Sequence, residues 1–70
     1  MNLALTVAHN LQFWRHARRL TVTEIASKAS ISVESLRSIE AGTILPTPEQ
    51  LISICEVLAI LPSQLVGQNK

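Results

Sequence analysis

Signals that begin and end α-helices divide the sequence into short segments. The segment 47–50 reads Thr-Pro-Glu-Gln, with an N-cap threonine, proline at the first helical position and glutamine at the third. Thr21 and Glu24 form a second capping box. Gly42 is suited to the left-handed conformation that often ends a helix. These signals predict short helices joined by tight turns.

Apolar residues recur with helical spacing along most of the chain, and no stretch alternates long enough to indicate a strand. Leu3 and Val7 begin one face of a first helix that ends near Arg18. Pro62 opens a last short helix, which Gly67 ends. The pattern predicts five helices in a compact all-α domain. The predicted core comprises Val7, Leu11, Trp14, Leu20, Ile25, Ala26, Ile31, Leu36, Ile39, Leu51, Ile54, Cys55, Leu58 and Leu65.

Residues 22–41 read as a helix-turn-helix. Two short helices meet steeply where a small residue, Ala26, allows close approach, and Ser32 caps the second helix. The stretch LTVTEIASKASISVESLRSIEAG resembles the signature of the phage-repressor-like (Cro/repressor, Xre-type) family, and the resemblance extends from about residue 7 to 65. It implies a lambda-repressor-like DNA-binding domain, here a single domain over residues 1–70.

The resemblance also implies how DNA is bound. The second helix of the motif, about residues 32–40, would enter the major groove. Val33 would pack on a thymine methyl group, Glu34 would accept from a cytosine amino group, and Ser38 would hydrogen-bond either way, with Arg37 alongside. The predicted contacts to the DNA backbone are Arg18, Arg19, Thr21, Val22, Lys28, Ser32 and Thr43.

One pair has a structural role in this family. An arginine in the first helix and a glutamate ending the third form a partly buried ion pair, and Arg15 and Glu40 occupy those positions. Arg15 is therefore not counted among the residues that face DNA.

Several positions depart from the family pattern. Val22 stands where a glutamine commonly clasps a phosphate, Ala41 replaces a frequent asparagine or arginine, and the loop 43–45 carries no charge. Glu34 brings a carboxylate to a phosphate-rich groove. Net charge is only +1, so phosphate contacts are few and the salt dependence of binding is predicted to be shallow.

Two functions follow. The first is a sequence-specific DNA-binding transcriptional regulator that acts as a homodimer on a palindromic operator. The alternative uses the same fold for protein–protein interaction, as an anti-repressor, antitoxin-like subunit or adaptor. The loop 43–45 discriminates between them, because it lies along DNA or a dimer edge in the first and contacts the partner itself in the second.

The sequence is rich in apolar residues, at 47%. Some have no evident place in the predicted core and would form a surface patch that needs cover. A homodimer interface accounts for them, with a dimerisation segment at about 57–67. The predicted interface residues are Ile44, Leu45, Val57, Leu61 and Val66, with Leu5 also left over.

Other functions lack their residues in this sequence. No glycine-rich loop, nucleophile triad or paired carboxylates indicate an enzyme or a cofactor site, and His9 and His16 have no metal-ligand spacing with the single cysteine, Cys55. No apolar run approaches the ~18 residues of a membrane span. We expect a cytoplasmic, nucleoid-associated protein. Ser30 and Ala59 occupy helix ends where the family usually has glycine, at a cost to stability.

Overall fold

The computed structural model describes residues 2–67, and within them the chain is all-α. Five helices follow one another: α1 (Leu3–Ala17), α2 (Val22–Ala29), α3 (Val33–Glu40), α4 (Pro48–Leu58) and α5 (Pro62–Val66). The ends of the predicted domain, residue 1 and residues 68–70, lie outside the described residues. The predicted fold class is confirmed.

The helices begin where the capping signals predict. The Thr21 hydroxyl accepts from the Glu24 amide at 3.0 Å, and the Glu24 carboxylate accepts from the Thr21 amide at 2.9 Å. Thr47 and Gln50 form the same reciprocal pair at the start of α4. At α5, the Gln64 side chain accepts from the Leu61 amide, while leucine offers no side-chain acceptor in return.

Residues in the left-handed conformation end four of the helices, and Arg19, with φ 56, is the one that follows α1. Gly42 has φ +77, and a Cβ there would lie 2.6 Å from Cδ2 of Leu5. Ser30 and Ala59 are left-handed without being glycine, with φ of 58 and 57. Both bear the expected strain, because a Cβ disfavours this conformation.

The core lies where α1 packs between α3 and α5, and α2 against α3 and α4. All the predicted core residues are buried or packed against the buried cluster. Leu3, predicted to begin the apolar face of the first helix, lies at the first position of α1 and is exposed. The prediction missed Ala8 and Ile60, both buried.

Side chains of α1 satisfy the carboxyl ends of three other helices, whose last carbonyl groups lack partners within the helix. Asn10 is buried, and its amide donates to the carbonyls of Leu65 at 2.9 Å and Gly67 at 2.8 Å. Gln12 donates to the carbonyl of Glu40, the last residue of α3. Arg18, the C-cap residue of α1, donates from Nε to the carbonyl of Leu58, the last residue of α4. This first helix therefore holds α3, α4 and α5 in place.

Two of the predicted interface residues differ from expectation. Val57 and Val66 are half-buried and pack against the core, so they do have inward contacts. Val57 follows Ile54 by three residues on α4, and Val66 follows the buried Leu65, which places both at the margin of the core. Ile44, Leu45 and Leu61 remain exposed.

Candidate nucleic-acid interface

The turn between α2 and α3 sets the angle of the motif. Ser30 is left-handed, and the amide of Ile31 donates to the carbonyl of Ala26 at 2.9 Å, which closes the end of α2. Ala26 and Ala29 are both buried, so the small side chains allow the two helices to approach closely.

The exposed face of α3 carries the polar residues predicted to meet bases. Glu34 and Arg37 are exposed and Ser38 is half-buried on this helix. Ser32 caps it, accepting from the Ser35 amide at 3.0 Å and bonding to the Ser35 hydroxyl at 2.8 Å. The Ser32 hydroxyl is therefore engaged in capping α3. The residue is nevertheless exposed, so its outer surface is accessible to solvent.

Two predicted contacts differ from expectation because they turn partly inward. Val33 and Val22 are half-buried and pack against the core. Val33 precedes the buried Leu36 by three residues, and Val22 precedes the buried Ile25 by three. Helical spacing places each at the edge of an inward stripe, and the sequence already contained that signal. Only their outer surfaces are available to DNA.

The ion pair fixes α3 against α1. Arg15 Nε and Nη2 donate to the two carboxylate oxygens of Glu40, at 2.6 and 3.2 Å, and Nη1 donates to the carbonyl of Leu20. The side chains are only 17% and 11% exposed. Such a bidentate, partly desolvated pair is directional, so it orients the end of α3 and leaves Arg15 bound to the protein itself.

Arg18, predicted as a phosphate contact, is engaged with the protein itself. Its Nε donates to the carbonyl of Leu58 at 2.7 Å, and Nη2 lies 3.5 Å from the carbonyl of Ala59. The guanidinium sits 5.2 Å from the centre of the Trp14 ring. This arginine caps α4 and stacks on an aromatic ring. Of the lysines and arginines among residues 2–67, three remain exposed without such contacts: Arg19, Lys28 and Arg37.

The N-terminus of α2, where the predicted backbone contacts Thr21 and Val22 lie, already holds a carboxylate. Glu24 occupies the capping box with Thr21. Hydrogen bonding to the backbone and hydroxyl of Thr21 lowers the pKa of Glu24 below its usual value, with a smaller effect from the charge of Lys28. Glu24 is therefore ionised at neutral pH. A phosphate at this position would lie beside a negative charge.

The loop after α3 presents apolar side chains. Thr43 donates to the carbonyl of Ser38 through both its amide (3.1 Å) and its hydroxyl (3.0 Å), which closes α3. Beyond it, Ile44 and Leu45 are exposed. Thr43 therefore has its donors engaged, and the part of the loop left for a partner is uncharged.

Two short helices around a tight turn form the motif, and α1 braces the second of them through the ion pair. A family model described as a helix-turn-helix domain matches residues 7–65. The chain belongs to the helix-turn-helix domain family. No curated protein matches its sequence. Members of this class are generally DNA-binding modules without catalytic activity, and the second helix of the motif enters the major groove.

Metal-binding clusters and membrane-spanning helices are absent from residues 2–67. No group of three histidine, cysteine or acidic residues in that range is arranged to hold a metal ion. Cys55 is buried, and burial raises the pKa of its thiol, so it is a neutral core residue at pH 7. No helix among the described residues is long and apolar enough to cross a bilayer.

Proposed function

We propose that this chain is a sequence-specific DNA-binding transcriptional regulator that acts as a homodimer, with α3 in the major groove. The observation that carries the proposal is the exposed polar face of α3 on a family-matched motif whose orientation is fixed by the Arg15–Glu40 pair. A rigid recognition helix favours sequence readout, since side chains must meet base edges at defined positions. We place the protein in the cytoplasm, associated with the nucleoid.

Each residue on that face has a distinct role in the proposal. Arg37 donates to the acceptor edge of a guanine, and Glu34 accepts from the amino group of a cytosine. Ser38 is able to bond in either direction, and the outer surface of Val33 meets a thymine methyl group. Ser32 lies at the start of the helix, where backbone contacts set its register.

Phosphate contacts come from the remaining cations. Arg19 and Lys28 neutralise phosphates beside the motif, and the polar residues Thr21 and Thr43 flank it. The three exposed cations among residues 2–67 that make no contact to a helix end, Arg19, Lys28 and Arg37, give a salt slope of about −5 for a dimer, at about −0.9 for each phosphate. Such weak non-specific attraction makes the second protomer and the base contacts essential to affinity.

A salt titration of binding to random-sequence duplex DNA, followed by fluorescence anisotropy, tests the proposal. We expect measurable binding at about 50 mM salt and a shallow slope. Absence of binding at that salt, by protein that circular dichroism shows to be folded, would overturn it. Arg37→Ala should weaken binding to every sequence that has the contacted guanine.

Selection from a randomised pool of DNA tests the placement of α3. Glu34→Gln should change the preferred base at one position in each half-site, because an amide reads adenine where a carboxylate reads cytosine. Glu56→Gln is the matched control, since it neutralises an exposed carboxylate on α4. An unchanged preference in the Glu34 variant would mean that α3 does not lie in the groove as proposed.

A second function is supported by a different observation. The exposed residues Ile44 and Leu45 lie in the loop after α3, and the guanidinium of Arg18 is engaged with the carbonyl of Leu58 on α4. A helix-turn-helix domain used for protein–protein interaction would need such an apolar loop and few phosphate contacts. The absence of DNA binding in the titration above would favour this function.

A further inference from the structure

A cavity lies between the end of α2 and the start of α4, beside the turn of the helix-turn-helix. Its volume is about 320 Å³, at the lower end of the range for small-molecule sites. Ala29, Ser30 and Ile31 form one wall, and the N-cap and first two turns of α4 form the other. Among residues 2–67, those that line the cavity include none of the predicted contacts to DNA or to a second protomer. A ligand there would not compete for those contacts.

The polar side chains on the two walls have hydrogen-bonding groups to spare. Within residues 2–67, the hydroxyls of Ser30 and Ser53 make no hydrogen bond. The Gln50 side chain accepts from the Thr47 amide at 3.0 Å through its oxygen, which leaves its nitrogen as a donor. Glu49 is exposed in the first turn of α4. The walls thus offer two hydroxyls, one amide donor and one carboxylate to a bound molecule.

The electrostatics of the cavity favour a cation. Glu49 is the one ionisable side chain that lines it among residues 2–67, and the end of α2 adds the negative end of a helix dipole. The start of α4 offers little to an anion, because Pro48 has no N–H and the Gln50 amide donates to the Thr47 hydroxyl at 3.1 Å. An anion would therefore lie beside a like charge, whereas a cation would gain an opposite charge.

The rest of the lining is apolar and aliphatic. Ala29 is buried and Ile31 packs against the core, so the fold holds this surface in place. No aromatic ring lines the cavity among residues 2–67, which disfavours a quaternary ammonium ion. A primary ammonium group has three donors, which match the carboxylate and the two serine hydroxyls.

We propose that this cavity binds a primary alkylammonium group, with the ammonium at the carboxylate of Glu49 and the alkyl chain against Ile31. A free aliphatic amine and the lysine side chain of another protein present the same chemistry.

Titration of the isotope-labelled full chain with n-butylammonium, followed by NMR of the backbone amides, tests the inference. Amides within residues 29–31 and 47–53 should shift, with a dissociation constant on the order of 1 mM for a ligand of so few atoms. Butyrate, of similar length and opposite charge, is the matched ligand and should leave these amides unshifted. An equal response to butyrate, or no response up to about 20 mM butylammonium, would overturn the inference.

Two substitutions locate the site. Glu49→Gln should weaken binding about fivefold, as for an exposed ion pair, while Glu56→Gln, on the same helix but outside the lining, should change it less than about twofold. Ser53→Leu should prevent binding by filling the cavity without a change in net charge. Should Ser53→Leu unfold the chain, Glu49→Gln carries the test. Equal weakening in the two glutamine variants would overturn the inference.

A blocked peptide of glycine, lysine and glycine, titrated in the same way, separates the two sources of the ammonium group. Tighter binding of the peptide than of butylammonium, weakened in Glu49→Gln, would assign the cavity to a lysine of a partner protein. Tighter binding of butylammonium would assign it to a free amine. None of these measurements involves DNA, so their outcome is independent of the proposed function.

Discussion

The guanidinium of Arg15 donates two hydrogen bonds to the carboxylate of Glu40, 25 residues later in the sequence. The pair joins the last turn of α1 to the last residue of α3. Both groups are largely buried. In such a partly desolvated site their mutual attraction is stronger than at the surface, and an unpaired charge is costly.

Removing one member of this pair should destabilise the fold. Glu40→Gln leaves Arg15 without its counter-charge, at a cost of about 3 kcal/mol for a partly buried pair. That corresponds to a fall in Tm of roughly 12–24 °C in a domain of this size, measured by circular dichroism. Glu56→Gln, on an exposed position of α4, should leave Tm nearly unchanged. Equal Tm values in the two variants would show that the pair contributes nothing.

Asn10 should prove as important for α5. Asn10→Ala deprives two carbonyls, of Leu65 and Gly67, of their donor. The cost of buried unpaired acceptors is about 1–3 kcal/mol, and we expect it in urea denaturation and in faster amide exchange of α5. His9→Ala, at the exposed neighbouring position, is the control. Protection of α5 equal to wild type in the Asn10 variant would contradict the assignment.

Local signals account for what the sequence predicts well. The capping boxes at Thr21 and Thr47 and the left-handed Gly42 act within one turn of chain, so spacing alone locates the helix ends. The Arg15–Glu40 pair came from the family resemblance, which supplies a long-range contact that periodicity does not.

Long polar side chains account for what the sequence does not predict. Nothing near Arg18 in the sequence indicates that it reaches Leu58, 40 residues on. Asn10 likewise binds carbonyls 55 and 57 residues away. The apolar surplus also depends on how the helices pack. Its residues could be identified from the sequence, but the packing of Val57 and Val66 against the core could not.

Substitution of the two neighbouring arginines that follow α1, Arg18 and Arg19, should distinguish a structural role from a phosphate-binding role. Arg18→Ala should lower Tm, because it removes the donor to Leu58 and the stacking on Trp14. At temperatures where the variant is folded, its salt slope for DNA should match that of wild type. Arg19→Ala should leave Tm nearly unchanged and reduce the slope by about 0.9 per chain. A reduced salt slope in Arg18→Ala together with an unchanged Tm would mean that Arg18 contacts a phosphate and does not stabilise the fold.

Glycine at a strained helix end should stabilise the fold. Ala59 has φ 57, and Ala59→Gly relieves a strain of about 1 kcal/mol, less the entropy cost of the more flexible unfolded chain. We expect a rise in Tm of up to about 4–8 °C. The substitution keeps the contact with Arg18, because that contact is made by the backbone carbonyl of residue 59. Ala41→Gly is the control, with φ −80 and no strain to relieve. A rise in that variant and none in Ala59→Gly would contradict the argument.

The capping carboxylate should make stability depend on pH. The pKa of Glu24 is lower in the folded chain than in the unfolded one, whose value is near 4.5, so the unfolded state takes up the proton first as pH falls. The contribution of the charge is therefore complete above the unfolded pKa and is lost as pH falls through the folded pKa.

Glu24→Gln keeps a side-chain acceptor for the Thr21 amide but has no charge. Its Tm should lie below that of wild type at pH 7, and the difference should shrink below about pH 4. Glu56→Gln, whose carboxylate accepts no hydrogen bond among residues 2–67, is the control for general charge effects. A difference between Glu24→Gln and wild type that stays constant from neutral to acid pH would mean that the charge of Glu24 does not stabilise α2.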